Sequence, residues 1–382
     1  MTVYLFETMT AKQAETFNGA VDQIVFNAAT PASSLTVTPT SFDTVFLTSQ
    51  DGVSLQFRAS ELQAASTAGR LSFTDSSATS LVIGGSGDDT LTFTGGKAIY
   101  YGLDGDDEIT TSNAASNVFG GAGDDRIVGG NGNDHLYGFD LTGDPSADGD
   151  DYIDGGAGND YIQGNAGDDT LLGGLGNDRI NGGADDDLIF GGEGNDIVNG
   201  NKGNDTISGG EGNDILRGGQ GNDLVQGDEG NDILFGDLGK DTLVGGTGID
   251  VLTGGAGDDL FRFAAGDAAF DTTGALAYFA DQITDFAIGE DKVDIGGSIG
   301  IGTGNIVYAQ AGITIASAEA AYTYAQGLID GGSVNKIAAI QVGSDTYLFY
   351  DDNGGVAASI NAMIKLDGMT ATDFTADSIF SV

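Results

Sequence analysis

The chain has no cysteine, a single histidine, and only 13 lysines and arginines against 58 aspartates and glutamates. Each shortage excludes something. Without cysteine there are no disulfides and no thiolate chemistry, so the redox compartment leaves no mark on the sequence. With His135 alone, an H-E-x-x-H zinc centre is impossible, because it needs two imidazoles one helical turn apart. A Ser-His-Asp triad would also depend on His135. Glycine patterns that mimic a nucleotide loop lack the G-K-[ST] that must follow them. A net charge of −45 leaves no basic patch to neutralise phosphates, so nucleic acid is not an expected partner. No stretch approaches about 18 uninterrupted apolar residues, so no transmembrane segment is expected. The start, Met1-Thr2-Val3-Tyr4-Leu5-Phe6-Glu7, has neither a basic n-region nor a long apolar run, so a cleavable signal is not expected. Paired carboxylates for glycoside chemistry stay open where acids are this abundant, but most are claimed by the pattern that follows. The expectation is a protein that is not an enzyme.

What the chain has is glycine, 66 of them, and aspartate, in strict period. From Gly155 to Arg262 it repeats twelve times in blocks of nine with no slip, as G-G-x-G-x-D-x-U-x with U a large apolar residue. Position six is aspartate throughout: Asp160, Asp169, Asp178, Asp187, Asp196, Asp205, Asp214, Asp223, Asp232, Asp241, Asp250 and Asp259. Position eight is always aliphatic or Phe, from Ile162 and Leu171 to Leu252 and Phe261. An unstructured Gly/Asp linker has no reason to place an apolar side chain at every ninth position. Glycine reaches the positive φ values a sharp turn needs. Where position two is not Gly, the substitutes include Asn165, Asn201, Asp228 and Asp237, the residue types that best tolerate the left-handed region. Inward carbonyls plus one carboxylate per turn, stacked on the next turn, supply the shell of hard oxygens that Ca2+ prefers. Residues seven to nine read as a strand with position eight inward. Two such half-turns make a coil of 18 residues, and stacked coils enclose a thin aliphatic core.

The pattern reaches beyond its continuous block. Matches begin at Gly84, Gly102, Gly120 and Gly129, adding Asp89, Asp107, Asp125 and Asp134, and Asp151 follows in an interrupted copy. Between these lie nine-residue segments such as 111–119 that lack the Gly/Asp turn. One edge of the coil therefore keeps its calcium turns while the other uses ordinary ones. Projected backwards, this register makes Leu71-Ser72-Phe73 and Leu81-Val82-Ile83 earlier coil strands. Residues 138–154 hold a nine-mer with eight extra residues, expected to bulge as a loop.

The nonapeptide resembles that of the RTX (repeats-in-toxin) calcium-binding family. Asp281-Gln282-Ile283-Thr284-Asp285-Phe286, followed by Gly289 to Ile295, resembles the segment that caps the coil in that family. The tail is similar to the C-terminal end of RTX-containing bacterial S-layer proteins. The resemblance implies an uncleaved C-terminal signal read by a type I ABC transporter, release into calcium-rich extracellular surroundings, and folding there on roughly ten or more Ca2+ ions.

The expected fold class is all-β: a right-handed parallel β-roll over 66–262, a small N-terminal β module over 1–65, and a C-terminal capping β-rich module over 263–382. In the first module, 12–17 reads as a short helix and 22–26, 35–37, 44–47 and 53–57 as strands. In the last, 316–329 reads as a helix, with 336–342 and 346–350 as a hairpin. Position seven on one face is Ile197, Ile215, Ile233 and Val251, with Phe235 beside them. This stripe is read either as covered by the C-terminal module or favoured by β-propensity alone, or as a surface for self-assembly or a cell-surface glycan. The expected function is a secreted, calcium-binding structural or cell-surface protein, whether matrix, S-layer-like or adhesin. Two alternatives stand beside it: a secreted effector or hydrolase whose roll only aids export and folding, and a membrane-active RTX toxin. The toxin reading lacks an amphipathic segment to support it.

Overall fold

The computed structural model describes residues 80–139 (apart from 86 and 93–95), 148–264, 281–295 (apart from 289), 337–350 and 362–371. It also describes the strands at 3–5, 23–26, 36–41, 44–48, 54–57, 71–73 and 306–308, the helix at 318–329, and residues 378–380. The chain forms two compact units, Met1–Ile189 and Phe190–Val382, and both are built on a parallel β-solenoid.

In the first unit, strands alternate between two parallel sheets. One sheet stacks Thr90–Thr92, Glu108–Thr110, Arg126–Val128, Tyr152–Ala157 and Thr170–Leu175. The other stacks Ser80–Ile83, Ala98–Asp104, Asn117–Ala122, His135–Tyr137, Tyr161–Ala166 and Arg179–Ala184. Position eight faces position eight in register: Ile109 pairs with Ile127 and Ile162 with Ile180. All four are fully buried, which makes the core an aliphatic file between the sheets. Burying each such side chain contributes about 1.5–3 kcal/mol. The strands are longer than a three-residue reading of the repeat implies. Tyr161–Ala166 runs through position nine into positions one to three of the next repeat, and Asn165 pairs with Gly183. The turn is thereby confined to positions four to six.

The N-terminal strands fall close to their expected places, at Gln23–Phe26, Thr36–Ser41, Thr44–Thr48 and Ser54–Phe57. The last three form an antiparallel sheet. The helix expected at 12–17 lies outside the described residues, as do residues 140–147 of the bulge expected within 138–154. Leu71–Phe73 is a strand, but it does not stack on 90–92 as the backward register implies. It pairs in parallel with Gln23–Phe26 instead. Periodicity anticipates the strand, while its partner comes from a segment with no repeat.

The second unit repeats the two-sheet arrangement. Thr206–Glu211, Leu224–Glu229, Thr242–Val244 and Leu260–Arg262 continue to Lys292–Asp294 and Ile379–Phe380. Ile197–Lys202, Ile215–Gln220, Ile233–Leu238 and Val251–Ala256 continue to Asp281–Ile283 and Ala362–Leu366. The expected hairpin is Ile337–Val342 with Asp345–Tyr350, turning at Gly343 with φ 67°, and Ala318–Ile329 is helical. Among the described residues the C-terminal module therefore extends the sheets edge-on, covering the open end that a solenoid must not expose. The position-seven stripe points outward as its register implies, with Ile197, Ile215 and Ile233 exposed at 40%, 42% and 37%.

Candidate metal centre

Every position-six aspartate takes part in one of a few ladders. In the first unit, the backbone N–H of Asp89 donates to Oδ1 of Asp107 at 2.8 Å. Asp107 donates likewise to Asp125, Asp125 to Asp151, Asp151 to Asp169 and Asp169 to Asp187. On the other edge Asp134 donates to Asp160 and Asp160 to Asp178. In the second unit Asp196, Asp214, Asp232 and Asp250 form one ladder, and Asp205, Asp223, Asp241 and Asp259 the other. All seventeen expected ligands are thus placed at equivalent corners. All but the first-turn Asp89 are at most 3% exposed.

The ladder uses one carboxylate oxygen and aims the other inward. Oδ2 of Asp107, Asp125, Asp214, Asp232 and Asp241 is buried without a hydrogen-bond partner among the described residues. An uncompensated buried carboxylate oxygen is expensive, so its repetition at one register marks a place for a cation. The cradle around it is visible at the position-one glycines. A Cβ built on Gly236 would lie 2.5 Å from Asp241 Oδ2 and 2.5 Å from the Gly254 carbonyl oxygen one coil on. Gly102, Gly120, Gly209 and Gly227 crowd the corresponding pair of atoms in the same way. Each cradle is therefore walled by an aspartate oxygen and a main-chain carbonyl, and it exists because position one has no side chain. No group of three or more His, Cys, Asp or Glu side chains converges among the described residues, so carbonyls must supply most of the ligands. A hard oxygen set of one carboxylate per turn with carbonyls suits Ca2+ and gives no soft or imidazole donor for zinc or copper. Bound there, Ca2+ supplies positive charge that neutralises the ladder and ties successive coils together.

Electrostatics point the same way. Burial pushes the Asp125 carboxyl up to about 8, opposed by the Asp107 N–H and reinforced by the charges of Asp107 and Asp148. Burial likewise pushes Asp151 up to about 10 and Asp107, Asp214 and Asp232 to about 7. These are acids whose charged form needs a counter-ion that the chain does not provide.

The backbone at these corners is as demanding as the repeat implies. Asn165, Asn201, Asp228 and Asp237 have φ of 90°, 76°, 71° and 73°. Two further residues share the left-handed region: Asp185 at position four, and Leu103 with φ 87°, the latter unusual for a bulky side chain.

Three contributors escape a search for the complete nonapeptide. Asp281 Oδ1 accepts from Asp250 N–H at 3.0 Å, and Asp291 Oδ1 from Asp259 N–H at 3.0 Å. Both are buried and extend the ladders into the C-terminal module. Asp285 accepts from Gly254 N–H at 2.9 Å and Gly255 N–H at 2.7 Å, closing the last glycine corner. What they share with the repeat is D-x-U, in Asp281-Gln282-Ile283 and Asp291-Lys292-Val293, within the segment already seen to resemble a cap. The glycines are gone and the spacing has grown, so nine-residue periodicity does not reach it. An outer ladder at position five was also unforeseen, with Asn213 N–H donating to Asn195 Oδ1 at 2.8 Å and Asn231 N–H to Asn213 Oδ1 at 2.8 Å.

Residues 80–97, 101–136, 146–180, 172–207, 208–243 and 235–267 match the family model of the RTX calcium-binding nonapeptide repeat (4 copies). No curated protein matches the chain. Among solved structures, the R3 subunit of the AlgE6 mannuronan C5-epimerase from Azotobacter vinelandii is 28% identical, over 45% of this chain and 80% of that one, with a TM-score of 0.31. The R2 subunit of the same epimerase is 29% identical over 46% and 91%, with a TM-score of 0.31. The extracellular lipase LipA of Serratia marcescens is 18% identical over 69% and 39%, with a TM-score of 0.26.

Proposed function

We propose that this chain, which carries RTX calcium-binding nonapeptide repeats between residues 80 and 267, is a secreted structural or cell-surface component that folds only where calcium is plentiful. The observation that carries this reading is the recurring cradle of a buried aspartate oxygen facing a main-chain carbonyl across a glycine. In a calcium-poor cytosol those carboxylates repel, the thin core is insufficient, and the repeats stay open for export by a type I ABC transporter. Outside the cell, metal-coupled folding then locks the coils, because the binding free energy is also folding free energy. The chain is proposed to act without catalysis, as matrix, S-layer-like material or adhesin. The outward stripe of Ile197, Ile215, Ile233 and Val251 is the surface through which it meets another copy or a glycan.

Light scattering coupled to size exclusion, with and without calcium, tests the reading, together with electron microscopy of the calcium-loaded protein. Calcium-dependent growth in mass and regular sheets or filaments is expected. A monomer at every calcium concentration that turns over a polysaccharide or lipid overturns the scaffold role in favour of a secreted effector. A circular dichroism spectrum that calcium leaves unchanged overturns the calcium-dependent fold itself.

A further inference from the structure

The calcium turns are interrupted on one edge, and the interruption is itself built. The segment 111–119 carries Thr111 where the pattern has its first glycine and Ser116 where it has aspartate. Its place in the coil is regular. Asn117–Phe119 pairs with His135–Tyr137, and Ser116 N–H donates to Asp134 Oδ1, as a position-six residue should. What differs is the cradle. At Gly102, Gly120 and Gly236 the space beside the glycine is bounded by an aspartate oxygen and the carbonyl of the next equivalent glycine. At 111 the corresponding carbonyl belongs to Gly129, and the Thr111 hydroxyl donates a buried hydrogen bond to it. Thr111 is itself only 8% exposed. The Ser116 hydroxyl turns away and donates to the Ala114 carbonyl at 2.9 Å.

We propose that Thr111 is a metal substitute: its side chain fills the cradle, and its hydroxyl satisfies the Gly129 carbonyl that a cation satisfies elsewhere. The two departures from the pattern compensate each other. Removing the aspartate removes the charge that requires a cation, and adding a threonine supplies a neutral donor for the carbonyl left behind. The calcium row on this edge therefore begins at the turn of Asp134, and the rung before it is fixed by the chain alone. This rests on the calcium reading above and adds to it a specific metal-free turn.

The test is the number of ions bound by the full-length chain, measured by isothermal titration calorimetry and by metal analysis after gel filtration. Thr111→Gly combined with Ser116→Asp rebuilds the pattern and is expected to bind one more Ca2+ than the natural chain. Asp134→Asn, as a control, is expected to bind one fewer. Thr111→Val keeps the shape and removes the donor. In saturating calcium it is expected to lower the melting temperature while leaving the ion count unchanged. The proposal is overturned if the double variant gains no ion while the control loses one. Should the double variant not fold, Thr111→Val decides: an unchanged melting temperature overturns the proposal. A natural chain that binds no calcium fails the underlying reading instead, and the two failures are distinct.

Discussion

Asp291 Oδ1 accepts the backbone N–H of Asp259 at 3.0 Å across a separation of 32 residues, where the repeats make the same bond across 18. The last coil thus presents the C-terminal module with the ladder it would present to another coil. Asp281 does the same for Asp250 on the other edge. These two bonds make the cap a continuation of the aspartate ladders.

Asn in place of Asp at 281 and 291 keeps Oδ1 as an acceptor and removes the charge. Asp281→Asn with Asp291→Asn should weaken calcium binding at the terminal coil while leaving the inner repeats intact. Hydrogen exchange in saturating calcium should then be faster over 251–262 and 281–294 and unchanged near 206–229, because coupling in a solenoid is between neighbours. Uniform protection throughout would show that the cap docks without metal.

A core position gives a second expectation. Leu234 is fully buried and stands in register with Leu216 and Leu252. Leu234→Ala should cost about 2–5 kcal/mol through lost transfer energy and the cavity left behind. In calcium the damage should be local, read as lost exchange protection in the strands at 215–220 and 251–256. A substitution of no consequence would mean that this file of side chains is not the core.

The pH dependence of the chelated chain follows from the buried carboxyls. The Asp125 carboxyl is raised from 3.8 to about 8 and Asp214 from 3.8 to about 7, with burial as the largest cause. The folded metal-free roll therefore holds protons that the unfolded chain has already released. That contribution is fully present below about 4 and is lost as pH rises through about 7 to 8. In chelator, β-structure measured by far-ultraviolet circular dichroism should increase as pH falls from about 8 to about 5. A signal that is flat, or that declines towards acid, would contradict the buried placement of these side chains.

The sequence made the inner corners legible because each requirement there is strict. Position six must reach the cradle, position eight must fill the core, and positions one and two must turn without a clash. Asp214, Leu216 and Gly218 each sit where the period places them, since any slip would expose the core or block a cradle. Legibility ends where backbone bonds do the work that residue type does elsewhere. Positions one to three, such as Gly164 to Ala166, extend the strands through main-chain pairing, and main-chain pairing leaves little trace in composition. Leu103 adopts φ 87° because coil geometry imposes it, against its own preference. The partner of Leu71–Phe73 at Gln23–Phe26 lies outside any repeat and has no periodic signature. Asp281 and Asp291 are legible as part of a cap-like segment, but their place in the ladders is not, because the intervals of 31 and 32 residues to Asp250 and Asp259 break the period.

Gly236 gives the most direct test of the cradle. It is not in a left-handed conformation, so a side chain there meets no backbone penalty of the kind that excludes one at Gly239, with φ 150°. The obstacle is space alone: a Cβ would stand 2.5 Å from both Asp241 Oδ2 and the Gly254 carbonyl oxygen. Gly236→Ala should therefore abolish one calcium site and spare the rest, with calorimetry showing one ion fewer and a lower melting temperature in saturating calcium. In chelator, where the repeats stay open, the substitution should leave the far-ultraviolet circular dichroism spectrum unchanged. If the variant bound the full complement of ions, the space beside glycine would not be where calcium sits. The assignment of every equivalent corner would then have to be redrawn.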